Sequence, residues 1–162
     1  MADVITLSGD KTPDITKVVK AGDNTSKVYH KVVDTQPTDT LTFEDGDIVA
    51  YLTDVGEVGS SKESSEFKMY HAKTFKIPKG EKAKDLQLTE ALTKNALDNI
   101  RAAYKAGSYI VTAMFDESGN QLYGCIGAIT DWGMSMSNGD TCTLTYTIAV
   151  SDDEIKCAMP TA

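Results

Sequence analysis

Acid–base or metal chemistry in this chain would have to start from His30 and His71, its two histidines. His71 alternates with Phe67 and Met69 along a strand-like stretch from Glu66 to Ile77, so it reads as a core or interface side chain rather than a ligand. Cys125, Cys142 and Cys157 lack the short Cys-x2–4-Cys spacing of a zinc site. No serine stands in the Gly-x-Ser-x-Gly context of a hydrolase nucleophile. Gly124-Cys125-Ile126-Gly127 has the look of a phosphate loop, but it leads toward Asp131-Trp132 and not into a helix N-terminus. Glycines there read as a bulge or a close backbone approach. Asp45-Gly46-Asp47 and Asp152-Asp153-Glu154 lack the ligand spacing of a calcium loop and read as solvated acids. Trp132 reads as a turn anchor packed on the core. No catalytic, metal or cofactor site is therefore expected, and a non-enzymatic role is.

What remains is architecture. Thr141 to Val150 alternates with a period of two, Thr-Cys-Thr-Leu-Thr-Tyr-Thr-Ile-Ala-Val. Cys142, Leu144, Tyr146, Ile148 and Val150 fall on one face of a strand, and Thr141, Thr143, Thr145, Thr147 and Ala149 on the other. Such a strand has one dry face and one face of short uncharged hydroxyls, suited to a wet sheet surface or the wall of a polar channel. Ile48 to Leu52 reads as a buried strand. Gly56 to Ser65 is small and polar, and the spacing predicts a mobile loop over about residues 55–66.

Thr89 to Lys105 reads as the one helix, about residues 89–106. Thr89 is its expected N-cap, Leu88, Leu92, Ala96, Ile100, Ala103 and Tyr104 its apolar stripe, and Gly107 its C-cap. Tyr109 to Phe115 and Leu122 to Ile129 read as strands joined by a hairpin loop at Asp116–Asn120. Asp131-Trp132-Gly133 and Ser137-Asn138-Gly139-Asp140 read as turns. The first 47 residues are weakly patterned, allowing short strands or an extended arm (1–12), and residues 151–162 form a tail without pattern. The expectation is a single mainly β domain over residues 1–162, a β-sandwich or barrel of antiparallel sheets with one flanking helix.

With 162 residues, 41% hydrophobic and 25% charged, the composition is that of one globular domain. Sixteen bases against 24 acids give a formal net charge of −8. Without a cluster of Lys and Arg, binding to nucleic acid phosphates is not expected. The first ten residues have no basic segment and no long apolar core, so neither a secretory signal nor a membrane anchor is read. The odd cysteine number then favours reduced thiols.

Taken together, Thr89 to Val150 resembles a tail tube protein of a long-tailed bacteriophage. One helix, the hairpin at Asp116–Asn120, the turn at Asp131-Trp132-Gly133 and the threonine-rich strand come in the order expected of that family, and the long loop at Gly56–Ser65 fits as well. The resemblance implies a structural virion protein, made in the bacterial cytoplasm, whose homo-hexameric rings stack into a tube with other tail proteins. DNA passes through such a tube to the host without specific binding. It further implies that Thr141, Thr143, Thr145 and Thr147 face the lumen. Gly56, Glu57, Val58, Gly59, Ser60, Ser61, Lys62 and Glu63, with the N-terminal arm, would meet the next ring. Two other classes stay open: another β-sandwich virion or surface module, such as a head decoration or Ig-like adhesion domain, and a small enzyme or ligand binder in a sandwich or barrel.

Overall fold

The structure is a computed structural model and describes residues 12–19, 27–67 and 75–161. The expected arm at residues 1–12 and the face carrying Met69 and His71 lie essentially outside the described residues. Among the described residues, ten strands and one α-helix follow in order, besides two short 3-10 turns: β1 (Lys27–Val33), β2 (Leu41–Thr42), β3 (Leu52–Val55), β4 (Ser60–Phe67), β5 (Phe75–Ala83), β6 (Leu86–Ala91), α1 (Lys94–Ala106), β7 (Tyr109–Phe115), β8 (Gln121–Ser135), β9 (Thr143–Asp152) and β10 (Cys157–Ala158). Six of the strands form one antiparallel sheet in the order β1-β7-β8-β9-β6-β3. The mainly β architecture with one flanking helix is the one expected from the sequence.

The sheet curls because its two outer strands are tied together. Ile48 bridges Tyr29 of β1, and the Val49 N–H donates to the Val28 carbonyl at 2.9 Å. Four residues after Ile48 the chain enters β3, the other edge. β8 makes the turn of the curl. Its first half pairs with β7 and its second half with β9, with register shifts at Ile126/Gly127 and Ile129/Asp131. Such bulges bend a strand that is shared between two halves of a sheet. At Gly127 a Cβ would collide with the Ala149 carbonyl, so only glycine lets β9 approach this closely.

Two cores result. Inside the curl, Leu86, Leu88, Ile110, Cys125, Ile129, Leu144, Tyr146 and Ile148 pack against Ile100 and Ala103 of α1. On the other side of β7 and β8, Val111, Ala113, Phe115 and Ile126 pack with Tyr29, Phe43, Ile155 and Cys157. The Tyr29 and Phe43 rings stack at 5.5 Å, and each meets Phe115 edge-on at 5.8 and 6.3 Å. β7 is thus covered on both faces, which explains its nearly unbroken apolar run.

Several expected boundaries move. The helix begins at Lys94 under an N-cap from Thr93, whose Oγ1 accepts from the Ala96 N–H at 3.2 Å, not under Thr89. Leu86–Ala91 is instead a strand paired with β9, because its own two-residue alternation meets a partner. Leu88 therefore leaves the helix stripe, and Tyr104 is exposed. Gly107 does cap the helix, in the left-handed conformation at φ 65°. The strand read at Ile48–Leu52 begins only at Leu52. The expected loop is irregular at Gly56–Gly59, but Ser60–Phe67 pairs with β5 in a hairpin. The partner strand lies further along the chain, so the polar composition of this stretch alone did not signal the pairing. Asp131-Trp132-Gly133 is no turn and continues β8, while Asn138-Gly139 does turn. The tail carries β10, parallel to β2, and buries Ile155 and Cys157.

Candidate functional site

Residue types that could do chemistry are dispersed and muted. His30 is half-buried inside the curl with its ring edge-on to Tyr146, 6.4 Å between centroids. Burial lowers its pKa; Asp47 pulls the other way more weakly, so the imidazole is held neutral. Cys125, Cys142 and Cys157 are free thiols, and burial pushes Cys125 and Cys157 up to about 11, away from the reactive thiolate. Among the described residues, no three His, Cys, Asp or Glu side chains gather to hold a metal. A groove of about 480 Å³ between α1 and β1 is lined by His30, Lys31, Asp47, Asn99 and Ser108 among aliphatic side chains. Trp132 packs half-buried against the inner core, under the guanidinium of Arg101 at 5.6 Å from its ring centroid.

The more organised feature is a sheet face. Along β9, Leu144, Tyr146 and Ile148 are buried within the curl, while Thr143, Thr145 and Thr147 are half-buried on the outer side. Register extends that outer row across the neighbouring strands. Thr147 lies between Gln87 of β6 and Asp131 of β8, Thr145 between Thr89 and Gly133, and Thr143 between Ala91 and Ser135. Asp54 of β3 adds to the Thr89 row. The hydroxyls of Thr89 and Thr145 share a hydrogen bond at 3.1 Å, and Thr53 Oγ1 donates to the Thr89 carbonyl at 3.1 Å. The result is a row of mostly polar, uncharged positions with two exposed carboxylates, Asp54 and Asp131, and no base among the positions in register. Its hydroxyls can hold water, and its two carboxylates disfavour an anion.

Three of the four threonines singled out from sequence fall in this patch. Thr141 is exposed and precedes β9, off the ladder. Gln87, Thr89, Asp131, Gly133 and Ser135 were missed, because Thr89 was read as a helix cap and Asp131–Gly133 as a turn. The alternation Leu86-Gln87-Leu88-Thr89-Glu90 was the signal that could have found the first two. Of the other predicted residues, Gly56 N–H donates to the Gln87 carbonyl at 2.8 Å and Glu57 pairs with Lys84 at 2.6 Å. Ser60, Ser61, Lys62 and Glu63 are exposed on β4.

No helix among the described residues is long and apolar enough to cross a membrane. No protein-family model and no curated protein matches the sequence. Solved structures do match in fold. A chain of the anti-feeding prophage baseplate superimposes with a TM-score of 0.56 at 10% identity, covering 85% of this chain and 95% of that one. The PVC sheath–tube complex of an extracellular contractile injection system gives 0.54 at 12% identity, over 86% and 91%. The SPP1 tail tube gives 0.54 at 16% identity, over 85% and 81%. The curled sheet with its single helix is thus a fold shared with components of tail tubes and contractile injection systems.

Proposed function

We propose that this chain is the structural wall protein of a phage tail tube. Copies close into rings, hexameric by resemblance to tail tubes, and the rings stack into a conduit together with other tail proteins. The protein acts by shape and surface, without catalysis. It is made in the host cytoplasm and ends in the tail of the virion.

The observation that carries this reading is the base-free hydroxyl face on β6, β8 and β9. We place it toward the lumen, with Thr143, Thr145 and Thr147 at its centre and Thr141 at its margin. Hydroxyls keep a water layer, and Asp54 and Asp131 repel phosphates, so a nucleic acid would slide rather than bind. The stretch Gly56–Glu63 and the hairpin it opens are assigned to contact between rings, since an isolated two-stranded hairpin is marginal in water. The fold shared with the SPP1 tail tube supports the tube reading.

Negative-stain electron microscopy of the purified chain over a rising concentration series tests it. Rings with a central hole, or hollow tubes, are expected. Particles of single-subunit size at every concentration, with or without a tail initiator complex, would remove the proposal. Thr145→Lys should leave assembly intact and make preformed tubes retain short DNA at low salt. If the variant tubes retain no more DNA than wild type, Thr145 does not face the lumen.

A further inference from the structure

Asn138-Gly139 is the sole Asn-Gly pair in the sequence. The Gly139 backbone nitrogen can close a succinimide ring on the side-chain carbonyl of Asn138, and glycine puts no Cβ in the way. Asparagine is among the chemically labile residues of a protein, and the fold leaves this one free to react. It lies in the connection from β8 to β9, beyond the last ladder pair, Ser135 with Thr143. Residues 136–141 are all exposed. Gly139 takes φ 86°, and nothing lies within 4 Å of a Cβ built on it. A single backbone bond, from the Asp140 N–H to the Ser137 carbonyl at 3.1 Å, spans the turn. The Gly139 N–H, the nucleophile, has no backbone partner among the described residues.

The other described asparagines are held. After Asn95, the Ala96 N–H donates to Thr93 Oγ1 at 3.2 Å. After Asn99, the Ile100 N–H lies inside the hydrogen-bond ladder of α1. Asn120 is fastened to the Asp116 carboxylate twice, through its N–H at 2.8 Å and its Nδ2 at 3.2 Å. Asn24 lies outside the described residues. Asn138 thus combines the least hindered following residue with the least restrained backbone.

We infer that Asn138 is a site of spontaneous deamidation in the native protein. The Gly139 nitrogen bonds to Asn138 Cγ and gives its proton to solvent. The Cγ–Nδ2 bond breaks, and Nδ2 takes a proton from water and leaves as ammonia. A water molecule then opens the succinimide at either carbonyl, giving aspartate or isoaspartate. Both products add a negative charge to a chain already at −8, close to Asp140. Isoaspartate also routes the backbone through the side chain, which breaks the turn bond between Ser137 and Asp140. Because no ladder pair lies beyond Ser135 and Thr143, the sheet survives either product. The folded protein therefore acquires charge variants with age, whether or not it builds tubes.

The test incubates the folded chain in mildly alkaline buffer, digests it at acidic pH and maps the peptides by mass spectrometry. Conversion of amide to acid at Asn138 should run at least about tenfold faster than at Asn95, Asn99 or Asn120, a barrier lower by about 1.4 kcal/mol. The peptide carrying Asn138 should also accept a methyl group from an isoaspartyl methyltransferase. Asn138→Gln should remove the main charge variant on ion exchange and leave the melting temperature unchanged. A parallel incubation in urea separates the effect of the fold from that of the sequence. Equal conversion at these four asparagines in the folded chain overturns the proposal. So does conversion at Asn138 that requires urea, because the folded turn then protects it.

Discussion

Inside the curled sheet, the phenol of Tyr146 on β9 donates to the carboxylate of Glu90 on neighbouring β6 at 3.1 Å, and Glu90 is 5% exposed. Burial raises the Glu90 pKa above the usual 4.5, and the Tyr146 bond lowers it only in part. Tyr146 is pushed up by burial and then by the carboxylate charge. The folded chain therefore keeps the Glu90 proton to a higher pH than the unfolded chain. Between the two values the native state binds more protons, so this group's contribution to stability falls as pH rises from about 4.5 and levels off above the folded pKa. Glu90→Gln removes the titration and keeps a partner for Tyr146. Thermal melts of both proteins across pH should show the variant gaining on wild type as pH increases. A constant difference between them would mean that Glu90 does not titrate in this range.

Thr112, on β7, is fully buried and its hydroxyl has no hydrogen-bond partner among the described residues. A buried donor left unpaired costs about 1–3 kcal/mol. Thr112→Val keeps the branched shape and removes the orphan, so it should stabilise by about 1 kcal/mol. Urea unfolding measures this directly. A lower midpoint would show that the hydroxyl is bonded, for instance to a buried water.

These two groups show what the sequence could and could not say. Period-two alternation in β9 and the apolar run of β7 are local properties, so both strands were legible, and so was the Asp116–Asn120 hairpin, where the Asp116 carboxylate accepts from the Ser118 and Asn120 N–H groups at 3.0 and 2.8 Å. Gly107 was legible because a left-handed cap demands glycine. Leu86–Ala91 was ambiguous, since its two-residue alternation competes with a helical stripe that Leu88, Leu92 and Ala96 also fit, and pairing with β9 decides for a strand. The polar face suffered for the same reason, as Thr89 joins it through a partner 56 residues away. Ser60–Phe67 misled because its order comes from backbone pairing rather than composition.

The bend in β8 rests on Gly127. A Cβ there would strike the Ala149 carbonyl and come within 2.9 Å of Ile148 Cγ2. Gly127→Ala should cost about 1–3 kcal/mol by forcing β8 and β9 apart. Gly133→Ala is the matched control, since nothing lies within 4 Å of its added Cβ and the change should stay within about 0.5 kcal/mol. Equal melting temperatures for the two variants would show that the strands separate at Gly127 without cost.

Gln121 fastens the C-terminal segment from both ends of one amide. Its Nε2 donates to the Ile155 carbonyl at 2.6 Å and its Oε1 accepts from the Cys157 N–H at 2.8 Å. Beside it, Gly124 leaves room for Ile155, whose carbonyl a Cβ would strike. Gln121→Ala leaves two backbone groups without partners and should cost about 2 kcal/mol. The loss should be local, because Leu41 and Phe43 N–H groups still hold the Lys156 and Ala158 carbonyls at 3.0 Å. Hydrogen exchange of the Cys157 amide should therefore accelerate much more than that of Tyr146 in the inner core. Matching acceleration at both amides would mean that the segment opens only when the whole sheet unfolds, and that Gln121 stabilises the domain as one cooperative unit.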